Sequence, residues 1–263
     1  MWLNGQPLSS QSLDRGLQFG DGHFTTLVIR HHRIEYWPRH WQRLSIASER
    51  LAMAIPEQEQ VLSLLEHIAA EHQHCVVKLI ITRGVSQRGY GVAANQPINW
   101  YVTISDLPQW STQGLSVAQA KLRLAQQPLL AGLKTLNRLE QVLLTQERDL
   151  LGVDDLLVCD SQLHIVEAIS SNLFWYDGDN WRIPLLKTAG IAGIMQAEIC
   201  AAVLPEAIPT EATYASVASA QQAFLCNTVL GPRPIAKIDE RVLPKALLPE
   251  VVHQWYSNVL YNS

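Results

Sequence analysis

The sequence predicts a mixed α/β (α+β) protein in two domains. Three observations carry this. Strand-like and helix-like segments alternate through the first hundred or so residues, a polar stretch from Asp106 to Gln113 breaks the periodicity, and strands and helices resume beyond it. The expected division is residues 1–107 as a smaller N-terminal α/β domain, 108–113 as a linker, and 114–263 as a larger C-terminal domain.

The elements follow in order. Met1 to Pro7 reads as a strand running into an Asn4-Gly5 turn. Phe24 to Arg30 and Arg33 to Trp37 form a hairpin around the polar pair His31-His32. Pro38 suits the first turn of a helix running to about Met53, with Trp41, Leu44, Ser48 and Leu51 at helical spacing. A second helix follows Pro56, striped by Val61, Leu65, Ile68 and Ala69. Cys75 to Thr82 and Asn99 to Ser105 are strand-like, separated by a glycine-rich loop, Arg83 to Gly91, that carries two arginines. Beyond the linker come a strand near Leu115 to Ala120 and a helix from about Arg138 to Leu151. Asn137 serves as its N-cap, with Glu140 completing a capping box. Asp155 to Cys159, Leu163 to Val166 and Ser171 to Tyr176 read as a strand meander with Asp160-Ser161 and Asp177-Gly178 turns. A helix starts near Gly193 and runs to about Val203, Ala223 to Asn227 is a strand, and a helix near Pro249 to Leu260 closes the chain.

Composition excludes several classes. The formal net charge is −4, so no global basic field exists to hold nucleic acid. No window approaches the apolar run of a membrane span, and the start lacks the basic-then-apolar pattern of a secretory signal. Cys75, Cys159, Cys200 and Cys226 show neither CxxC spacing nor a His/Cys cluster, which fits free thiols in a reducing cytoplasm. His31-His32 and His72/His74 lack carboxylate partners at ligand spacing, so no metal is expected.

Five features could carry chemistry. Lys134 alone among the lysines lies between apolar neighbours just ahead of a helix start. A shielded lysine is disfavoured as ammonium, and a neutral amine can form a Schiff base; the alternative is a lysine whose stem covers apolar surface while its head reaches water. Arg39, Arg43 and Arg50 stripe one helix, either as a solvated face or with one guanidinium turned inward to clamp a phosphate. Glu167 lies in the apolar run from Leu163 to Phe174 and is either a strand-end carboxylate at a turn or a buried acid that needs a partner. Lys187 to Met195 places glycines before a helix whose free amides can bind an anion. Asn227-Thr228 follows a buried strand and is either an ordinary turn or a further contact. Jointly these supply what pyridoxal phosphate requires: a lysine for the aldehyde, an acid for the ring nitrogen, and arginine plus amides for the phosphate.

Gln18 to Thr26, His40 to Leu44, Arg83 to Tyr90, Leu133 to Val142, Glu167 to Phe174 and Gly190 to Met195 resemble the fold-type IV pyridoxal phosphate enzymes, which share the D-amino acid aminotransferase-like fold. The resemblance spans nearly the whole chain. Its Phe-Gly-Asp-Gly-x-Phe-Thr-Thr, Arg-Gly-Tyr and Lys-x-Leu-Asn-Arg-Leu-Glu-Gln motifs look most like the aminodeoxychorismate lyase branch. The resemblance implies pyridoxal 5'-phosphate as cofactor, with Lys134 as the Schiff-base lysine and catalytic base and Glu167 as the partner of the ring nitrogen. Arg43, Gly193, Ile194 and Thr228 would hold the phosphate, and Arg39 and Arg50 return to the solvated face. The implied reaction turns 4-amino-4-deoxychorismate into 4-aminobenzoate and pyruvate, as in folate biosynthesis. Arg88 and Tyr90 are the candidates for the substrate carboxylates. Gln196 departs from relatives, which often carry arginine there. A fold-type IV D-amino acid or branched-chain aminotransferase is the alternative activity, using the same Lys134 and Glu167. A cytoplasmic homodimer is also implied.

Overall fold

The computed structural model describes residues 2–3, 6–7, 13–86 and 89–262. The chain separates into two compact units, residues 1–106 with 134–137, and residues 107–133 with 138–263.

In the first unit β1 (Trp2–Leu3) pairs with β2 (Gln6–Pro7), and the expected turn residues Asn4 and Gly5 lie outside the described residues. A short helix α1 (Arg15–Phe19) precedes β3 (Gly22–Arg30) and β4 (Arg33–Ile34). His31 and His32 have φ of 50° and 62°, the left-handed geometry that lets a hairpin reverse in two residues. β4 stops short of Trp37 because Tyr36 turns the chain at φ 53° and starts α2 (Trp37–Arg50) with proline in its first turn. That helix ends before Met53, where Ala52 takes a φ of 48°. Then come α3 (Gln58–Glu71), β5 (His74–Thr82) and β6 (Asn99–Ser105).

The strands form an antiparallel sheet in the order β4-β3-β5-β6. Alternation along β3 and β5 sends Leu27, Ile29, Val77, Leu79 and Ile81 into one core with Leu44, Val61 and Leu65 of the helices. Phe24, Thr26, Lys78 and Ile80 therefore occupy the opposite face, where Thr26 pairs with Lys78 and Phe24 with Ile80.

The second unit contains β7 (Leu115–Gln119), α4 (Leu139–Leu151), β8 (Asp155–Cys159), β9 (Ile165–Ala168), β10 (Asn172–Tyr176), β11 (Trp181–Pro184) and α5 (Ile194–Ala202). It continues through β12 (Ile208–Thr210), α6 (Tyr214–Ala218), β13 (Gln222–Asn227), β14 (Gly231–Ile238), β15 (Arg241–Val242) and α7 (Glu250–Asn262). Among the described residues its sheet has nine strands, ordered β12-β11-β10-β13-β14-β7-β8-β9 with β15 on β14. The expected meander is corrected. β8 and β9 do form an antiparallel pair, but β10 pairs with β11 and β13. The cross-strand partners Phe174 and Phe224 stack there with ring centroids 4.6 Å apart, which rewards the distant pairing. Residues of the expected linker join this unit: Trp110 Nε1 donates to Pro232 O at 2.8 Å and its ring packs 5.2 Å from that of Tyr256.

The capping box is also corrected. α4 has Arg138 at its N-cap with no side-chain cap bond. Glu140 instead accepts the Ala125 N–H at 3.0 Å, and the Asn137 amide oxygen lies where a side chain on Gly20 would stand. Among the described residues no helix is long and apolar enough to cross a membrane, and no group of three or more His, Cys, Asp or Glu side chains could hold a metal ion.

Candidate active site

Lys134 was expected within the larger C-terminal region, yet residues 134–137 group with the first unit. The reason is backbone pairing with β3. Phe24 N–H donates to Lys134 O at 2.9 Å and Leu136 N–H donates to Gly22 O at 3.0 Å, with Thr135 opposite His23. Gly22 permits the approach, since a Cβ there would meet Leu136 Cδ1 at 2.8 Å and the Ile81 carbonyl closer still. Lys134 is half-buried, and its Nζ sits 4.7 Å from the Phe24 ring centroid, a cation–π distance. A half-buried amine thus stands on a backbone paired to β3.

Arg43 projects from α2 and is half-buried, whereas Arg39 and Arg50 are exposed. Burial pulls the Arg43 guanidinium down to about 10, which leaves it a cation at neutral pH. Two buried histidines are tied to the same helix, His40 as one of its residues and His23 from β3. His40 Nδ1 meets Thr25 Oγ1 at 2.6 Å and His23 Nε2 meets Ser48 Oγ at 2.9 Å. Burial, then the charge of Arg43, pushes His40 down to about 3, and burial pushes His23 to about 4. Both are neutral at physiological pH.

The glycine-rich loop uses its first arginine for structure. Arg83 Nε pairs with Asp21 at 2.9 Å, and its guanidinium donates to the Leu51 and Ala52 carbonyls behind α2. Tyr90 is 83% exposed with its ring 5.1 Å from Phe19, and Arg88 lies outside the described residues. Sequence reasoning missed Arg15. Its buried guanidinium pairs with Asp21 at 2.7 Å and donates to Ser86 Oγ and to the carbonyls of Gly89, Tyr90 and Gly91. All the loop carbonyls it binds converge on one planar fork of donors. The one local hint was an arginine between Asp14, which caps α1, and a glycine.

In the second unit Glu167 is buried at the middle of β9, which removes the exposed-turn alternative. Its Oε2 accepts the Ile191 N–H at 2.8 Å. The half-buried Arg138 feels the carboxylate as well, which raises a guanidinium pKa that burial lowers. Ile191 belongs to a turn fixed on both sides: Gly132 N–H donates to Gly190 O at 2.8 Å, and Ala192 N–H donates to Gly132 O at 3.1 Å. Asn172 Nδ2 adds a bond to Ile191 O at 2.9 Å.

That turn delivers Gly193 as N-cap of α5, without a side-chain cap bond. The first helical bond runs from Ala197 N–H to Gly193 O, so the amides of Ile194 and Met195 have no partner inside the helix. A side chain on Gly193 would collide with Asn172 Oδ1, so glycine is required by space. Gln196 is buried and directs its amide toward the Leu173 carbonyl at 3.5 Å. Thr228 is buried just past β13, on a turn where Asn227 Oδ1 accepts the N–H of Val229 at 3.0 Å and of Leu230 at 2.7 Å. Glu167, Gly193 and Ile194 thus meet around one turn.

A family model described as amino-transferase class IV matches residues 22–238. The chain belongs to that family. Aminodeoxychorismate lyase of Vibrio harveyi is 30% identical over 248 residues, covering 90% of this chain and 90% of its own length. The crystal structure of 4-amino-4-deoxychorismate lyase from Pseudomonas aeruginosa is 35% identical with a TM-score of 0.83, covering 98% of this chain and 97% of that one. A hypothetical aminotransferase from Mycobacterium tuberculosis, solved in a PLP-bound form, shares the fold with a TM-score of 0.80 and 18% identity over 99% of this chain and 96% of its own. The two-part α/β fold is the fold-type IV architecture that the motifs implied.

Proposed function

We propose that this protein is a pyridoxal 5'-phosphate-dependent lyase that converts 4-amino-4-deoxychorismate into 4-aminobenzoate and pyruvate. The observation that carries the reading is the near-full-length similarity to lyases of that name, 35% identical over 98% of the chain in one solved structure. The donor set fits the cofactor in kind. It offers an amine at Lys134, a cationic guanidinium at Arg43, a buried carboxylate at Glu167, helix-start amides at Ile194 and Met195, and a hydroxyl at Thr228.

When bound, pyridoxal phosphate supplies an aldehyde for an amine and a ring that draws electrons from the amine-bearing carbon. Lys134 Nζ would be the amine that anchors the aldehyde, and once the substrate amine takes its place it would be the base for the proton on the amine-bearing carbon. Glu167 would be the residue to keep a proton at the ring nitrogen, since a carboxylate beside that atom favours the protonated form. Arg43, the N–H groups after Gly193 and the Thr228 hydroxyl would hold the phosphate. Breaking the carbon–oxygen bond to the enolpyruvyl group releases enolpyruvate, which takes a proton at carbon and becomes pyruvate. The ring left behind is aromatic. Aromatisation makes the step downhill, so the residues mainly orient the substrate and lower the barrier to the first proton transfer.

The reading includes a cytoplasmic homodimer. Free thiols at Cys75, Cys159, Cys200 and Cys226 suit a reducing compartment, and the exposed Leu139, Val142 and Leu143 of α4 present an apolar strip of the kind a partner covers. The test is to generate 4-amino-4-deoxychorismate in situ with its synthase and follow 4-aminobenzoate by fluorescence. Product formation only in the presence of this protein is expected. No product, with brisk amino transfer from D-alanine or branched-chain amino acids to 2-oxoglutarate, would overturn the reading in favour of a transaminase.

A further inference from the structure

Lys78 occupies an unusual position for a lysine. It sits in the middle of β5 among Val76, Val77, Leu79 and Ile80, and it is half-buried. Its neighbours Val77 and Leu79 point into the core with the helices, so alternation places Lys78 on the opposite face with Phe24 and Thr26. Its Nζ lies 4.5 Å from the Phe24 ring centroid, and Lys134 Nζ lies 4.7 Å from the same centroid. The two amines therefore can be no farther apart than those two distances laid end to end. Among the described residues Lys78 makes no hydrogen bond and no ion pair. A half-buried ammonium whose neighbour is an aromatic face has given up part of its hydration for a weak substitute, and an anion would complete it.

We propose that Lys78 binds a carboxylate of the substrate and thereby selects a ring that carries one. The proposal rests on the lyase reading above, in which Lys134 Nζ works at the amine-bearing carbon. The substrate has two carboxylates, one on the ring and one on the enolpyruvyl group. A cation that shares the Phe24 ring with Lys134 fits an anionic group held on the same small molecule as the reacting amine. Arg43 is assigned to the cofactor phosphate and Arg83 is consumed by Asp21 and two carbonyls, so neither duplicates this role. Nothing in a lysine buried in a β-branched run announces this from sequence alone. The cue is its strand position opposite Thr26 and diagonal to Phe24.

The experiment compares Lys78→Met and Lys78→Arg with the wild-type holoenzyme. For Lys78→Met, KM for the chorismate-derived amine should rise about tenfold or more while kcat changes far less, and Lys78→Arg should recover much of the loss. The visible absorption of the bound cofactor should be the same in all three. A binding readout separates the inference from the reaction. Chorismate carries both carboxylates but a hydroxyl in place of the amine, so it occupies the site without reacting. Titrated against tryptophan fluorescence, it should bind wild type and Lys78→Arg, bind Lys78→Met about tenfold more weakly, and weaken in wild type as salt rises. Unchanged KM and unchanged chorismate affinity in Lys78→Met overturn the proposal. Should the methionine variant fail to fold, Lys78→Gln replaces it in both measurements. If wild type forms no 4-aminobenzoate, the lyase reading has failed, and the chorismate titration still decides whether Lys78 holds a carboxylate.

Discussion

At the scale of single residues, the proposed reaction makes two demands on the first unit: a reactive amine has to be held in place, and buried groups have to stay uncharged or paired. Lys134 meets the first through its main chain, since Phe24 and Leu136 pin the backbone on either side. Lys134→Ala should therefore abolish 4-aminobenzoate formation while changing unfolding free energy by no more than about 1 kcal/mol, the cost of a partly exposed stem. Borohydride reduction followed by peptide mass spectrometry should find the cofactor attached to residue 134 in wild type and absent there in the variant. The buried histidines meet the second demand and carry a cost in acid. His23 titrates near 4 and His40 near 3 in the fold, against an ordinary value of 6.5. As pH falls below 6.5 the unfolded chain takes up protons that the folded chain refuses, so stability present above that pH declines toward pH 4. At 1.36 kcal/mol per pH unit, each histidine removes on the order of 3 kcal/mol by pH 4. Urea unfolding from pH 7 to 4.5 should show that slope, and His40→Leu should flatten it even though it weakens the protein at pH 7. A slope unchanged by the substitution would remove His40 as its source.

At the scale of elements, the start of α5, where the proposal puts the phosphate, is built around one glycine. A glycine without a side chain lies against Asn172, whose amide holds the Ile191 carbonyl, while the Ile191 N–H holds Glu167. The helix amides and the acid are coupled through one turn. Gly193→Ala should therefore drive the Asn172 side chain away at a cost of about 1–3 kcal/mol, typical of overpacking, and loosen cofactor binding together with it. Asn172→Ala alone should cost a hydrogen bond, about 1 kcal/mol. The double variant Gly193→Ala/Asn172→Ala should be more stable than the two costs added, because the collision is gone. Thermal melts and cofactor titrations of the four proteins check this, and strictly additive losses would show that the contact is not the cause. Ser86 and residues 89–91 follow the same logic in the other unit. The Ser86 hydroxyl and the carbonyls of Gly89, Tyr90 and Gly91 all accept from Arg15, so one buried guanidinium fixes residues that have little conformational preference of their own.

At the scale of the whole molecule, what could be read from sequence was what neighbouring residues determine. β6 spans Asn99–Ser105 and β8 spans Asp155–Cys159 as expected, and α5 starts after Gly193, because apolar runs there are bounded by polar or glycine breakers. The departure of β10 from β9 was not legible, since its preference for β13 depends on Phe224, fifty positions away. Asn137 and Glu140 satisfy the local grammar of a capping box, but Glu140 accepts from Ala125, fifteen positions away, and Asn137 makes no cap bond to the helix, whose N-cap is Arg138. Lys134, Arg43 and Glu167 stand out in the sequence because a family motif marks them, whereas the Arg15 pairing with Asp21 and the place of Lys78 over the Phe24 ring depend on tertiary placement. The residues assigned to the cofactor are thus spread along the chain from Arg43 to Thr228, and a ligand that binds only the folded state stabilises all of it. At a hundredfold excess over its dissociation constant the cofactor should add about 2.7 kcal/mol, which for a chain of this size raises Tm by roughly 5–10 °C. The gain should survive in part in Lys134→Ala, where the phosphate contacts remain, and shrink further in Arg43→Gln. Differential scanning calorimetry with and without pyridoxal phosphate measures each shift. Equal shifts in wild type and Arg43→Gln would remove Arg43 from the phosphate site while leaving Lys134 in place.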